Sequence, residues 1–403
     1  MMEIVIKGMG IVSAIGNNIA ENLLALRNNN SGIALLHYLK TEHKEFPVGE
    51  VKLTNEQMIS LLQIPENQPT TRTSLMGMIA VKEALQTAGI MPEKFSKRIA
   101  FINGTTVGGM DKSELFYADF LQNNTKNEYI ATHDCGACTE MIADFFGFFS
   151  QVSTISTACS SAANAIILGA ELLKNQRADV VVAGGAECLT KFHLNGFNTL
   201  MILDKNHCCP FDAARSGLNL GEGAAYIVME RMGKSNSLEK GRGEILLSGY
   251  ANTCDAYHQT ATSPQGEGAF LAMTAALKNA NLRPEDIDYI NAHGTGTPNN
   301  DLTEGIAIER VFGNKIPPIS STKAFTGHTT SAAGAVEAVI SILSLQNNFI
   351  PNNLNFTEKM EELSFAPYID NAHALSKQFS INHVLSNSFG FGGNDTCLIF
   401  SKK

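Results

Sequence analysis

Along the chain, short runs of apolar, β-branched residues alternate with longer stretches rich in Ala and Leu. RIAFING (98–104), ADVVVAGGAE (178–187), AAYIVME (224–230), GEILLSGY (243–250) and IDYINAHG (287–294) have the length and composition of buried strands. TSLMGMIAVKEALQTAG (73–89), NAIILGAELLKNQ (164–176) and GAFLAMTAALKNANL (268–282) carry their apolar residues at helical spacing. The opening EIVIKGMGIVSAIG reads as a first strand running into a Gly-bounded turn, and Lys7 interrupts the apolar run that a secretory signal would need. This alternation predicts α/β architecture with its sheets buried between helices.

One polar, Gly-bounded stretch, RMGKSNSLEKGRGE (231–244), divides the chain near its midpoint, giving halves 1–235 and 236–403. Two echoes cross that division in the same order. FINGTT (101–106) resembles YINAHGT (289–295), and SSAANAI (160–166) aligns with TSAAGAV (330–336), which sets Cys159 opposite Thr329, next to His328. A duplicated α/β unit with a pseudo-twofold axis follows. Such an axis would bring two equivalent helix starts together, one carrying Cys159 and the other near His328.

Composition narrows the picture. The 403 residues are 44% hydrophobic and 17% charged, a globular profile with room for two domains or one large duplicated core. Nothing approaches 18 consecutive apolar residues, so no membrane span is expected, and a cytoplasmic location is. A formal charge of −9 argues against nucleic acid as the main partner. The eight cysteines are expected to be reduced. Cys135 and Cys138 form a CxxC, but Cys208 and Cys209 are adjacent, which is not zinc-ribbon spacing; packing is the expected role of the CxxC pair.

The stretch STISTACSSAANAI (153–166) ends a strand in a cysteine and crowds small residues behind it, placing Cys159 at the head of a helix. A helix N-terminus favours an anion by up to about 2 kcal/mol, which would bring a thiol of pKa about 8.5 to about 7. Free N–H groups in the first turn can also face an oxyanion. A buried, inert cysteine is the alternative reading. Against it stand His293 in NAHGTGTPNND (291–301) and His328 in STKAFTGHTTSAAGAVEA (321–338), both in Gly/Thr loops within repeats of the cysteine's own half. A late loop, SNSFGFGGND (386–395), adds glycines that let backbone N–H groups approach a substrate.

With these motifs in view, the chain resembles the β-ketoacyl-[acyl-carrier-protein] synthases of the elongating type, the Cys–His–His branch of the thiolase-like condensing enzymes. The resemblance runs nearly end to end, through VIKGMGIVSAIGNN, DVVVAGGAEC, CPFDAARSGLNLGEGAA, NAHGTGTPNND, KAFTGHTTSAAGAVE and NSFGFGG. It implies a duplicated five-layer αβαβα core. It also implies roles. Cys159 takes an acyl chain from the phosphopantetheine arm of an acyl carrier protein, with the N–H groups of Cys159 and Phe389 as oxyanion hole. His293 and His328 hold the malonyl thioester while carbon dioxide leaves, and the product is a 3-oxoacyl chain two carbons longer. Lys323 pairs with Glu337 and orients the histidines; Asp301 and Glu304 support them. Phe389 and Phe391 form a gate, and Val107 and Phe197 line the acyl tunnel. Asn291, Glu337, Ser386 and Asn387 match a monovalent-cation site of some relatives. No tightly bound cofactor is implied, and a homodimer is.

Several positions depart from the family pattern. Cys209 stands where an arginine is common, Ser216 and Leu218 replace Asp and Phe, and Ser331 replaces Gly. The carrier-docking lysines and arginines common before the first long helix reduce to Arg72, with Lys126 later. The unusual cysteines and phenylalanines of HDCGACTEMIADFF (133–146) leave open a fatty acyl chain or a specialised starter such as an aryl or polyene group. Rivals share the fold: a thiolase, which would need a late Cys-x-Gly motif; a non-catalytic chain-length partner, which would lack Cys159; and a carrier-binding scaffold, in which the tunnel to Cys159 would be blocked.

Overall fold

The computed structural model describes residues 3–65, 68–90, 97–123, 128–232, 243–370 and 380–403. Most of the polar stretch that divides the halves, with the boundary at 235, falls outside the described residues. The strands are β1 Ile4–Ser13, β2 Ile99–Gly104, β3 Gln151–Ile155, β4 Val180–Glu187 and β5 Gly223–Arg231, then β6 Ile245–Cys254, β7 Tyr289–Asn291, β8 Ile319–Ser320, β9 His383–Gly390 and β10 Asn394–Lys402. The helices of the first half are α1 Ile19–Arg27, α2 Asn55–Leu62, α3 Arg72–Thr87, α4 Met110–Asn123, α5 Cys135–Phe146, α6 Ser161–Lys174 and α7 Lys191–Thr199. Those of the second are α8 Glu267–Ala280, α9 Pro298–Phe312, α10 Lys323–Thr326 and α11 Ala333–Asn347.

The strands pair in the order β3-β2-β4-β5-β1-β6-β10-β9-β7-β8. Read inward from either edge, each half runs third, second, fourth, fifth, first. This is the expected duplication, joined where β1 and β6 pair antiparallel from Ile4↔Leu247 to Ile6↔Ile245.

Alternation along the strands assigns the layers, since successive side chains point to opposite faces. On β5, Ala225, Ile227 and Met229 pack inward with Ala163 and Ile166 of α6 and Val339 and Ile342 of α11. Ala224, Tyr226 and Val228 face outward to Leu75 and Val81 of α3 and Ile142 of α5. On β10, Leu398 and Phe400 face inward, while Cys397 and Ile399 face Met273 of α8 and Ile308 of α9. The result is five layers, helix–sheet–helix–sheet–helix. The middle layer is α6 and α11, so α11 is buried from Ala333 to Leu345 with no exposed face. Each fully buried Ile or Leu there stabilises the fold by roughly 1.5–3 kcal/mol. Placing both middle helices back to back brings their N-terminal loops to one side of the molecule.

Candidate active site

Cys159 leaves β3 through a sharp turn in which Ala158 adopts the left-handed conformation, φ +51°. The turn is pinned from inside: Thr157 N donates to Ser161 Oγ at 2.9 Å and Ser161 Oγ donates to Ala158 O at 2.6 Å. No side chain caps α6, which leaves its first-turn N–H groups open near Cys159. Gly390 lies against the same turn. A Cβ there would meet Thr157 O at 2.9 Å and Cys159 N at 3.2 Å, so only glycine lets the late loop come this close.

His328 reaches the thiol, with Nε2 3.2 Å from Cys159 Sγ. Backbone bonds fix its position: His328 N donates to Asn219 O at 2.7 Å and Gly221 N donates to His328 O at 2.9 Å. The ring of His293 stands 5.3 Å from that of His328, edge to face at 85°. Glu304 holds the His293 loop by accepting from His293 N at 2.9 Å and Gly294 N at 2.8 Å. Lys323 Nζ donates to His293 O at 2.5 Å, lies 3.3 Å from His293 Nδ1 and is hydrogen-bonded to Glu337 Oε1. An ammonium only donates, so Nδ1 of His293 accepts and its ring proton is assigned to Nε2. Lys323 therefore contacts His293 directly, and no bond joins it to the ring of His328 among the described residues.

Electrostatics here differ from the expectation. Cys159 is 7% exposed, and burial pushes its thiol up to about 11 although Lys323 works the other way. The thiol is not brought to about 7, because loss of solvation outweighs Lys323 and the backbone amides that favour the anion. Burial, with Lys323 beside them, also holds both His293 and His328 well below the usual imidazole range. The resting site is a thiol facing two neutral imidazoles.

These groups share a cavity of about 500 Å³ that reaches the surface past Leu200 and Met201. Phe197, Phe389 and Phe391 line it; Phe391 stacks on Phe197 at 5.9 Å, and Phe389 lies 5.8 Å from His293. Two residues make contacts other than those expected. The backbone amide that lowers the Cys159 thiol is that of Phe391, not Phe389, because Phe389 is still in β9 while the chain turns onto the sulfur two residues later. Val107 is buried outside the cavity lining, with its N–H turned to Glu187.

The remaining residues hold the frame. Asp301 accepts from Phe211 N at 2.8 Å and from Gly296 N, bracing the loop after His293. Arg72 cannot dock a carrier: its side chain is 11% exposed and paired with Glu222, with further bonds to Val51 O and Leu53 O. Lys126 lies outside the described residues. Cys138 is in the core and the half-buried Cys135 donates to Thr106 O, so these two are free thiols in packing contacts. Ser331 bonds to Glu187, which also accepts from Thr105 and Thr106 hydroxyls. That buried carboxylate was missed in the sequence; its only signal is an acidic residue ending the apolar run AGGAE.

Asn291, Glu337, Ser386 and Asn387 all bury polar atoms, although Asn387 follows Ser386 along β9 and turns to the opposite face, toward Met273 and Glu304. Asn291 Nδ2 and Oδ1, Glu337 Oε2, Ser386 Oγ and Asn387 Oδ1 are all buried without a hydrogen-bond partner. Unpaired buried polar atoms are costly, and oxygen donors suit a hard cation. No helix among the described residues is long and apolar enough to cross a membrane.

Comparison with known proteins agrees with this geometry. Models of the β-ketoacyl synthase N-terminal and C-terminal domains match residues 1–235 and 245–357. A 3-oxoacyl-[acyl-carrier-protein] synthase 2 of Staphylococcus aureus (strain MRSA252) is 30% identical over 100% of this chain and 98% of its own length. Among solved structures, the ishigamide ketosynthase/chain length factor superposes with a TM-score of 0.89 at 27% identity, covering 100% of this chain and 99% of that one. A ketosynthase in complex with its chain length factor from Xenorhabdus doucetiae gives 0.83 at 28% identity, covering 100% and 98%.

Proposed function

The chain belongs to the β-ketoacyl synthase family, and from that premise we propose that it catalyses decarboxylative condensation of a malonyl thioester with an acyl group held on Cys159. The substrates arrive on the phosphopantetheine of an acyl carrier protein, and the product is a 3-oxoacyl thioester two carbons longer. The observation that carries this reading is the 3.2 Å approach of His328 Nε2 to Cys159 Sγ, with His293 across the same cavity.

In the first step the sulfur attacks the incoming thioester carbonyl and the pantetheine sulfur leaves. His328 accepts the Cys159 proton and returns it to the leaving thiolate. This answers the raised thiol: a neighbouring base, not a standing thiolate, activates the nucleophile. The N–H groups of Cys159 and Phe391 face the oxyanion. In the second step Cys159 no longer carries a proton; exchange with solvent moves the His328 ring proton from Nδ1 to Nε2, and Nε2–H of both imidazoles then donates to the malonyl thioester oxygen. Carbon dioxide leaves, the resulting enolate carbon attacks the Cys159 thioester, and the C–S bond breaks. Two preorganised donors, each worth about 3–4 kcal/mol, stabilise the enolate oxygen. Neutral imidazoles suit this role because they donate without protonating the nascent carbanion.

A monovalent cation among Asn291, Glu337 and Ser386 would offset the carboxylate of Glu337 and fix β7, β9 and α11 together; no chemical step passes through it. A homodimer also fits. Edge strand β3 pairs on one side only and exposes Val152 (39%), and α4 exposes Leu115, Tyr117 and Leu121.

Purified protein given acyl- and malonyl-carrier protein should release carbon dioxide and form the 3-oxoacyl product. Cys159→Ser should abolish extension and leave no acyl adduct by mass spectrometry. Normal turnover by this variant would refute the mechanism.

A further inference from the structure

The cavity wall holds a carboxyl that the reaction above does not use. Asp395 lines the cavity, is 3% exposed, and its Oδ2 is buried without a partner. It stands at the start of β10, just after the Gly392–Gly393 turn that follows Phe391. Asp255 faces it from the strap after β6. The two side chains converge on Gly268 in the first turn of α8, where an added Cβ would meet Asp395 Oδ2 at 1.9 Å and Asp255 Cβ at 2.7 Å.

Asp255 is well supplied with hydrogen-bond donors. It accepts from Tyr257 N at 3.2 Å, Ser263 N at 3.0 Å and Thr262 Oγ1 at 3.2 Å. It also clasps the turn beside Phe391, with Asp255 N donating to Gly393 O at 3.1 Å while Gly392 N donates to Gln259 O at 2.8 Å in the same strap. Asp395 has none of these donors. The groups that act on it are both acidic, Asp255 and Glu304 of α9, and burial pushes the Glu304 carboxyl itself up to about 7, so it ionises before Asp395 as pH rises. The other titratable groups nearby are engaged or neutral. His258 accepts from Thr260 N within the strap, Glu267 of α8 is paired with Arg310, and Lys323 bonds His293. Cys254 donates to Gly392 O, and Cys397 is a buried thiol.

We propose that Asp395 is a positioning residue: while it carries its proton, the strap and the Phe391 turn stay clasped over Cys159, and when it ionises, repulsion from Asp255 releases them. The proposal rests on the reading of Cys159 as the acylated nucleophile only for its effect on turnover; the clasp itself is a property of the fold. Burial, with Asp255 second, pushes the Asp395 carboxyl up to about 8. The clasp therefore opens on the alkaline side of neutrality, where the amide of Phe391 leaves the sulfur.

The chain contains no tryptophan, so Phe391→Trp gives a single reporter on the turn. In otherwise native protein its emission should shift with a midpoint near pH 8. In the Asp395→Asn background, which keeps shape but cannot ionise, the transition should vanish. Asp255→Asn, a second route if that variant does not fold, should move the midpoint down by at least one pH unit. An unchanged midpoint in whichever variant folds, or no transition between pH 6.5 and 9.5 in native protein, overturns the proposal. Condensation rates read the consequence separately. Asp395→Asn should remove an alkaline fall in kcat of roughly tenfold per pH unit, the slope expected for one ionisation. Were the protein inactive in condensation yet the fluorescence transition present and Asp395-dependent, the clasp would stand and the proposed reaction would fall.

Discussion

Lys323 shows how much one side chain decides. Buried beside Glu337 and bonded to the His293 carbonyl, it fixes a charge pair and a tautomer together. Lys323→Met should leave Glu337 buried and unpaired, costing about 3–5 kcal/mol of stability. It should also lower kcat by roughly 100-fold, about the loss of one oyanion-type donor; thermal unfolding and carbon dioxide release measure the two effects. The histidines make a second prediction. Both are held well below their ordinary pKa of about 6.5, so below that pH the unfolded chain binds more protons than the folded one. Stability is then full above about pH 6.5 and lost as pH falls toward the folded values. The melting temperature should drop from pH 7 to pH 5, and less steeply in His293→Gln/His328→Gln. Cys159, His293, His328 and Lys323 were all legible in the sequence because each sits in a short motif of glycines and hydroxyl residues. The thiol's raised pKa was not, since solvation depends on what packs around the group.

Elements decide where those residues meet. The Cys159 turn belongs to β3 and α6, His293 to the end of β7, and His328 to the loop between α10 and α11. The strands and helices themselves were readable: RIAFING became β2, AAYIVME β5 and GAFLAMTAALKNANL α8, all within a few residues of the predicted bounds. The amide that reaches the Cys159 sulfur is that of Phe391, two residues beyond the expected Phe389, because sequence cannot say where a strand ends and its turn begins. Val107 stands apart from the Cys159 cavity for a related reason. An apolar residue at a strand end can face a cavity or a carboxylate, and Glu187 captured it. Three elements, β7, β9 and α11, together leave the unpartnered atoms of Asn291, Ser386, Asn387 and Glu337. Replacing potassium and sodium by a bulky organic cation should therefore lower the melting temperature by several degrees. Glu337→Gln should show a smaller difference between the two media, and equal melting in both media for the native chain would remove the cation.

At the scale of the whole molecule, the repeated strand order and the β1–β6 junction make one core out of two halves. The exposed β3 edge and the apolar face of α4 then predict association. Light scattering should give twice the chain mass of 43.4 kDa. Val152→Lys should shift the population toward monomer, because an edge lysine opposes strand pairing; a native protein that is monomeric at micromolar concentration would dismiss the dimer. The search for a carrier-docking cation before α3 ended differently, since Arg72 is sealed against Glu222 inside the fold.

By itself the sequence determined the element types, the duplication and the chemistry-bearing residues, because hydrophobic period, turn chemistry and repeat spacing are local properties of the chain. Only the tertiary structure decided that Arg72 is internal, that Phe391 supplies the amide, and that Asp395 stands opposite Asp255. Those outcomes depend on which side chains lose water and which charges face one another across elements far apart in sequence. Burial and long-range proximity are set by the packing of layers, and no window along the chain contains them.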